Sequence, residues 1–169
     1  VYDTAPELLD ALPMNDWDFG VVTDLVDLDG KTVIDAGAGS GKVAFGAVGQ
    51  ARQVFAVEPV ARLREFMRDK AAASGIANLY VLDGTLGAIP LPTDTTDVLL
   101  TCRAIGWHLE EELIEIERVV RAGGVALHLG LPYPPSPDDP LHRRLFEAGY
   151  SALSYAEGEE SRTSYGKQF

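Results

Sequence analysis

The sequence predicts a single α/β domain built on a doubly wound, mostly parallel sheet. Three observations predict it. Short runs rich in β-branched and apolar residues alternate with segments of helical periodicity, the pattern of strands covered by helices on both faces. The 169 residues, 46% of them hydrophobic, suffice for one good core and leave little room for a second. The residues best able to bind a ligand, Asp35, Glu58, Asp83 and the pair Cys102-Arg103, each follow a predicted strand, and in doubly wound sheets ligands bind at the carboxyl ends of the strands.

A helical segment over about residues 1–29 is expected to precede a core of 30–169. Lys31–Asp35 reads as a short buried strand running into glycines, followed by a helix from Lys42 to about Gln50. Gln53–Glu58 is a second strand, rich in β-branched and aromatic residues. Pro59 suits the first turn of a helix that puts Leu63, Phe66 and Met67 on one face and ends near Gly75. Leu79–Leu82 is a third strand, ending at Asp83-Gly84, and Asp97–Thr101 is a fourth. In Leu109–Arg121, Leu113, Ile116, Val119 and Val120 recur at helical spacing. Glu110, Glu111 and Glu112 stand at its N-terminal end, with Arg118 and Arg121 at the other, as the helix dipole favours. Gly123-Gly124 is expected to stop this helix before a fifth strand, Val125–Leu131. Five prolines between Leu131 and Pro140 exclude a helix or a central strand there. A helix over Pro140–Ala148 follows. Ser151–Ala156 and Arg162–Phe169 then pair as an antiparallel hairpin across Glu157–Glu160, giving a seven-stranded sheet whose last strand is antiparallel.

The net charge of −12 comes from 14 basic and 26 acidic residues. A field of that sign repels a phosphate backbone, so no nucleic-acid partner is expected; its plainest role is a solubilising surface. Cys102 is the single cysteine. It excludes an internal disulfide, argues against a cysteine-based metal cluster and suits a reducing cytoplasm. No run approaches the roughly 18 apolar residues of a membrane span. Val1-Tyr2-Asp3-Thr4 lacks the basic start and apolar stretch of a signal peptide. His108, His128 and His142 are too scattered for a zinc site, so no metal is expected. His128 reads as a hydrogen-bonded core histidine in a central strand, and His142 as a helix-surface residue.

The loop Gly37-Ala38-Gly39-Ser40-Gly41 joins the first strand to the first core helix. Its glycines permit a tight turn and a close ligand approach. A phosphate-binding P-loop would match Gly41-Lys42 but needs glycine at Ala36 and a hydroxyl at Val43. A dinucleotide fingerprint starting at Gly37 needs glycine where Lys42 stands. A ligand-free glycine turn would spend backbone entropy without adding packing. What remains is Asp-x-Gly-x-Gly-x-Gly, with an acid immediately before the turn.

Val33-Ile34-Asp35-Ala36-Gly37-Ala38-Gly39-Ser40-Gly41 resembles the first motif of class I S-adenosylmethionine-dependent methyltransferases of the Rossmann-like, type 11 kind. Val54-Phe55-Ala56-Val57-Glu58-Pro59 resembles their second strand with its ribose-binding acid. Asp83-Gly84-Thr85, then Ile89-Pro90-Leu91-Pro92 and Thr96-Asp97-Val98-Leu99, resemble the adenine segment and the entry to the fourth strand. Glu115–Gly124 resembles the helix and double-glycine turn before the fifth. The resemblance covers roughly Val33–Leu131, and its strength lies in the order and spacing of the motifs. It implies S-adenosylmethionine as cofactor, bound by Asp35, Gly37, Ala38, Gly39, Gly41, Glu58, Pro59, Leu63, Asp83, Gly84, Thr85 and Cys102. Glu58 would accept from the ribose hydroxyls and Asp83 from the adenine amino group, with Leu63 against the ring. Asp35 would orient the loop or meet the cofactor's amino group, to which Cys102 offers its carbonyl. For Asp83 an ordinary Asp-Gly turn stays open.

His108, in Gly106-Trp107-His108-Leu109 after the fourth strand, is the candidate catalytic residue, as a base or as a wall of the site. Trp107 is either a substrate wall or core. Arg103 either binds a carboxylate of cofactor or substrate or is solvated. Tyr2 and the Tyr133–Asp139 loop are further candidate walls. The expected function is methyl transfer to a small-molecule acceptor. Two alternatives stay open. One is a methyltransferase-like binding or scaffold module without catalysis, because the chain has little room for a substrate cap and Cys102-Arg103-Ala104-Ile105 stands where some relatives carry Asn-Pro-Pro-Tyr. The other is a nicotinamide-dependent oxidoreductase, disfavoured by Lys42.

Overall fold

The computed structural model describes residues 5–12, 16–131, 138–157 and 160–169, with the backbone alone at residue 10, over 154–157 and over 160–162. Two short helices, α1 (Pro6–Asp10) and α2 (Gly20–Thr23), precede the alternating core: β1 (Thr32–Ala36), α3 (Lys42–Ala47), β2 (Gln53–Val57), α4 (Ala61–Ala73), β3 (Leu79–Leu82), β4 (Thr96–Cys102), α5 (Leu109–Val119) and β5 (Val120–Leu131). Then come α6 (Pro140–Glu147), β6 (Ser151–Glu157) and β7 (Glu160–Gln168). The strands form one sheet in the order β3-β2-β1-β4-β5-β7-β6, and β7 runs antiparallel to both its neighbours. β7 inserts between β5 and β6, so the second strand of the terminal hairpin is the one that meets the parallel sheet.

All five residues of β1 are buried, as expected of a parallel strand covered on both faces. Alternate residues feed two cores. Val33, Val54, Val98 and Leu100 pack with Val43 of α3 and Met67 of α4 on one face. Ile34, Val57, Leu99 and Ala126 pack with Leu113 and Ile116 of α5 and Leu145 of α6 on the other. β1 and β4, adjacent at the centre, lie where the strand order reverses. Asp35 is opposite Ala56 of β2 and Leu100 of β4.

Three expectations need correction. The helix before β5 ends at Val119, ahead of the glycine pair. Val120 is extended (φ −81°, ψ 122°), 2% exposed and opposite Thr96, so this buried β-branched residue serves the sheet. Gly123-Gly124 then lies inside β5, exchanging backbone hydrogen bonds with Phe169 at 2.7 and 2.9 Å. The helix after β2 begins at Ala61, with Pro59 outside it. His142 is buried at 3% exposure, because its place in α6 turns the ring inward to bond the Tyr165 hydroxyl. The proline-rich 132–137, Tyr2 and the hairpin turn at 158–159 lie outside the described residues. No helix among the described residues is long and apolar enough to cross a membrane.

Candidate active site

The carboxyl ends of β1, β2 and β4 open into a cavity of about 650 Å³, a size typical of small-molecule sites. Its floor is the glycine loop. Gly37, Gly39 and Gly41 all have positive φ, at 74°, 58° and 91°. At Gly37 a side chain is excluded twice: by the backbone angle, and because an added Cβ would stand 2.4 Å from the Cβ of Ala104. The segment after β4 therefore packs directly on the loop. The Gly37 and Ala38 amides donate to the Val57 carbonyl, at 2.9 and 3.1 Å, tying the loop to the end of β2.

Glu58 completes that tie. Its Oε2 accepts from the Gly39 amide at 2.8 Å and its Oε1 from the Val60 amide at 2.9 Å. One carboxylate thus joins the loop to the entry of α4. It is 5% exposed, and burial raises its pKa against the pull of those two bonds. Each oxygen keeps lone-pair capacity for a hydroxyl donor. Asp35, 1% exposed, accepts from the Ala44 amide at 2.9 Å and so fixes the first turn of α3. Burial pushes its pKa up to about 7, the Ala44 bond opposing and the charge of Glu58 adding.

Asp35, Gly37, Ala38, Gly39, Glu58, Pro59, Leu63, Thr85 and Cys102 all line the cavity. Gly41, Asp83 and Gly84 do not. Gly41 faces the Phe45 ring, 2.8 Å from an added Cβ. The Asp83 side chain is 71% exposed and pairs with Arg64 at 3.0 Å. Gly84 supports the turn beyond it, where an added Cβ would come within 2.9 Å of the Ala88 carbonyl. That turn presents Thr85, Leu86 and Gly87 to the cavity.

Beyond β4 the wall changes character. Arg103 has a left-handed backbone (φ 56°), rare for a long side chain. Trp107 is 82% exposed at the cavity, so it is a wall and not core. His108, the N-cap residue of α5, is exposed beside it. Glu112 holds the backbone on either side of Trp107: it is 3% exposed, and its Oε2 and Oε1 accept from the Gly106 and His108 amides at 2.7 and 3.0 Å.

Leu9, Lys42, Leu86 and Glu112 line the site without having been singled out for it in the sequence. Three consecutive glutamates at the start of α5 hide which one turns inward. Lys42 was visible only as a departure from other glycine-loop patterns. His128 is fully buried, with Nδ1 2.9 Å from the Thr101 hydroxyl and burial taking its pKa down to about 3. It is a core residue, away from the cavity. Among the described residues no group of three His, Cys, Asp or Glu side chains could hold a metal ion.

Residues 33–124, more than half of the chain, match the family model described as "Methyltransferase domain". The chain belongs to this methyltransferase domain family, and its mixed seven-stranded sheet is the Rossmann-like class I form of the fold. An uncharacterized methyltransferase of Mycobacterium tuberculosis is 32% identical over 95 residues, 56% of this chain and 37% of the relative. The uncharacterized methyltransferase YcgJ of Bacillus subtilis is 28% identical over 95 residues, 54% of this chain and 37% of that protein. The matched region is thus little more than a third of the length of these curated relatives. The crystal structure of a SAM-dependent methyltransferase from Aquifex aeolicus superposes with a TM-score of 0.75 at 19% identity, covering 97% of this chain and 95% of that one. The crystal structure of YcgJ gives 0.68 at 19% identity, over 81% and 69%.

Proposed function

We infer that this chain binds S-adenosylmethionine in the cavity and transfers its methyl group to a small-molecule acceptor. The observation that carries this is the Glu58 carboxylate, held by the Gly39 and Val60 amides at the edge of a glycine loop and open to the cavity. The donor set fits the cofactor part by part. Glu58 suits a vicinal diol, since its oxygens keep lone pairs for two hydroxyls. Asp35 and the Cys102 carbonyl suit an ammonium group. Leu63 and Leu86, apolar and in the cavity wall, suit a flat heterocycle.

When bound, S-adenosylmethionine supplies a methyl group on a sulfonium, which is a good leaving group. The residues of this chain hold and orient. Glu58 and the glycine loop fix one end of the cavity, and Glu112 fixes the backbone from Gly106 to His108 at the other. Such positioning supplies much of the rate of a displacement reaction. His108 is our candidate to take the proton of an acceptor that carries one, and Trp107 to form the acceptor's wall. The net charge of −12 supports an acceptor other than a nucleic acid. The single cysteine fits a cytoplasmic setting.

Calorimetric titration with S-adenosylmethionine and S-adenosylhomocysteine tests the cofactor, and an absence of heat at millimolar ligand would refute it. Incubation of cell extract with methyl-labelled cofactor tests the acceptor. Label is expected in the low-molecular-weight fraction. Label in protein or RNA would overturn the acceptor class, and none anywhere would favour a binding module.

A further inference from the structure

Among the described residues, two long cationic side chains line the cavity, Lys42 and Arg103, and they face different neighbours. Lys42 is the first residue of α3, directly after Gly41. Its ammonium lies 5.6 Å from the centroid of the Trp17 ring. Trp17 is 8% exposed and packed in the core with Ala38 and Val43, so the platform under the ammonium is fixed. Leu9 closes the same end: its Cδ2 lies 3.5 Å from where a Cβ on Gly39 would stand.

Arg103 leans the other way. Its Nε is 3.3 Å from where a Cβ on Gly130 would stand. Gly130 belongs to β5, which flanks β4 on the side opposite β1. The stem of Arg103 is therefore drawn away from the glycine loop. Of the carboxylates lining the cavity, Asp35, Glu58 and Glu112 are each engaged by backbone amides, and Glu111 stands exposed on α5 beside Gly87.

We propose that the Lys42 ammonium is the group that reads the carboxylate of the cofactor's amino-acid part, so that this protein discriminates S-adenosylmethionine and S-adenosylhomocysteine from adenosine thioethers that lack that part. This rests on the reading of the cavity as an S-adenosylmethionine site. The amino-acid part carries an ammonium and a carboxylate on one carbon. Asp35 before the loop, in its ionised form, and the Lys42 ammonium after it match that pair in sign. A lysine ammonium acts as a point charge and needs no planar registration with the carboxylate.

The test is calorimetric titration of the full chain with two probes, S-adenosylhomocysteine and 5′-methylthioadenosine, which share the adenosine and differ in the amino-acid part. Lys42→Ala is expected to weaken the first about tenfold or more, as loss of a charge-assisted bond does, and to leave the second within about twofold. Retained 5′-methylthioadenosine binding also shows that the variant is folded. Lys42→Arg, which keeps the charge, is expected to recover most of the loss, and Arg103→Ala to show no selective loss of the first probe over the second. The proposal is overturned if Lys42→Ala affects neither probe or both alike, or if the selective loss follows Arg103→Ala. Wild-type protein that binds neither probe would instead refute the cofactor reading itself.

Discussion

The cavity has two walls built on opposite plans. Under β1 and β2, Asp35 and Glu58 are at most 5% exposed, and backbone amides fix their carboxylates at 2.8 to 2.9 Å. Beyond β4, Trp107 is 82% exposed and His108 is exposed beside it. Glu112 pins the backbone around them, at the Gly106 and His108 amides. The first wall has its polar groups fixed in place, an arrangement that lowers the cost of binding a ligand that fits them. The second offers a fixed path for the chain and leaves the side chains to settle on whatever they meet. A shared cofactor on one side and a variable acceptor on the other would call for this division.

The sharpest way to break the first wall is Gly37→Ala. The new methyl meets Ala104 at 2.4 Å, and φ stays at 74°, where an L side chain is strained. Strain of about 1–2 kcal/mol and overpacking of about 1–3 kcal/mol add to roughly 2–5 kcal/mol of lost stability. Urea unfolding would measure it, and S-adenosylhomocysteine binding should be lost as well. Adding Ala104→Gly removes the contact and leaves the backbone penalty, so the double variant should recover only part of the loss. A Gly37→Ala protein as stable as wild type would mean that β4 and the loop are not in contact.

Asp35 makes the same wall sensitive to pH. In the unfolded chain its carboxyl ionises near 3.8, and in the fold near 7. Between those values the folded state holds a proton that the unfolded state has released. This contribution to stability is fully present below pH 3.8 and is lost as pH rises through 7, with a slope of up to about 1.4 kcal/mol per pH unit. The burial that raises Glu58 acts in the same sense. Asp35→Asn keeps an acceptor for the Ala44 amide and removes the ionisation. The variant is expected to gain stability on wild type between about pH 5 and 7, and to bind S-adenosylhomocysteine more weakly. Unfolding midpoints of both proteins across that range check this. Parallel curves would mean that Asp35 ionises normally in the fold.

The two walls also differ in how far the sequence revealed them. Acids at strand ends and glycines in a turn are local signals, and Asp35, Gly37, Gly39 and Glu58 could be placed in one site because parallel strands bring their carboxyl ends together. Asp83 shows the limit. Its position after β3 suited a ligand, but Arg64, one turn into a different element, takes its carboxylate. Glu112 shows the reverse: nothing in Glu110-Glu111-Glu112 tells which side chain turns toward Gly106, because that depends on how α5 docks. The end of α5 was misplaced for a similar reason. Val119 and Val120 fit a helical stripe equally well, and only the ladder to Thr96 draws Val120 into the sheet. His142 needed Tyr165, 23 residues later, to explain its burial.

The second wall should separate backbone from side chain under mutation. Glu112→Gln leaves one acceptor oxygen where two amides now donate, setting an NH₂ group against one of them. An amide without a partner costs about 1–3 kcal/mol, so the variant should melt earlier and turn over more slowly with its S-adenosylhomocysteine affinity largely kept. Trp107→Ala should do the least of all. An 82% exposed ring contributes little to the fold, so stability should stay within about 0.5 kcal/mol of wild type and cofactor affinity within about twofold. Its effect should appear only as a higher KM for the acceptor. A tenfold loss of cofactor affinity in Trp107→Ala would mean that this ring covers the cofactor, and that the cavity has one continuous wall.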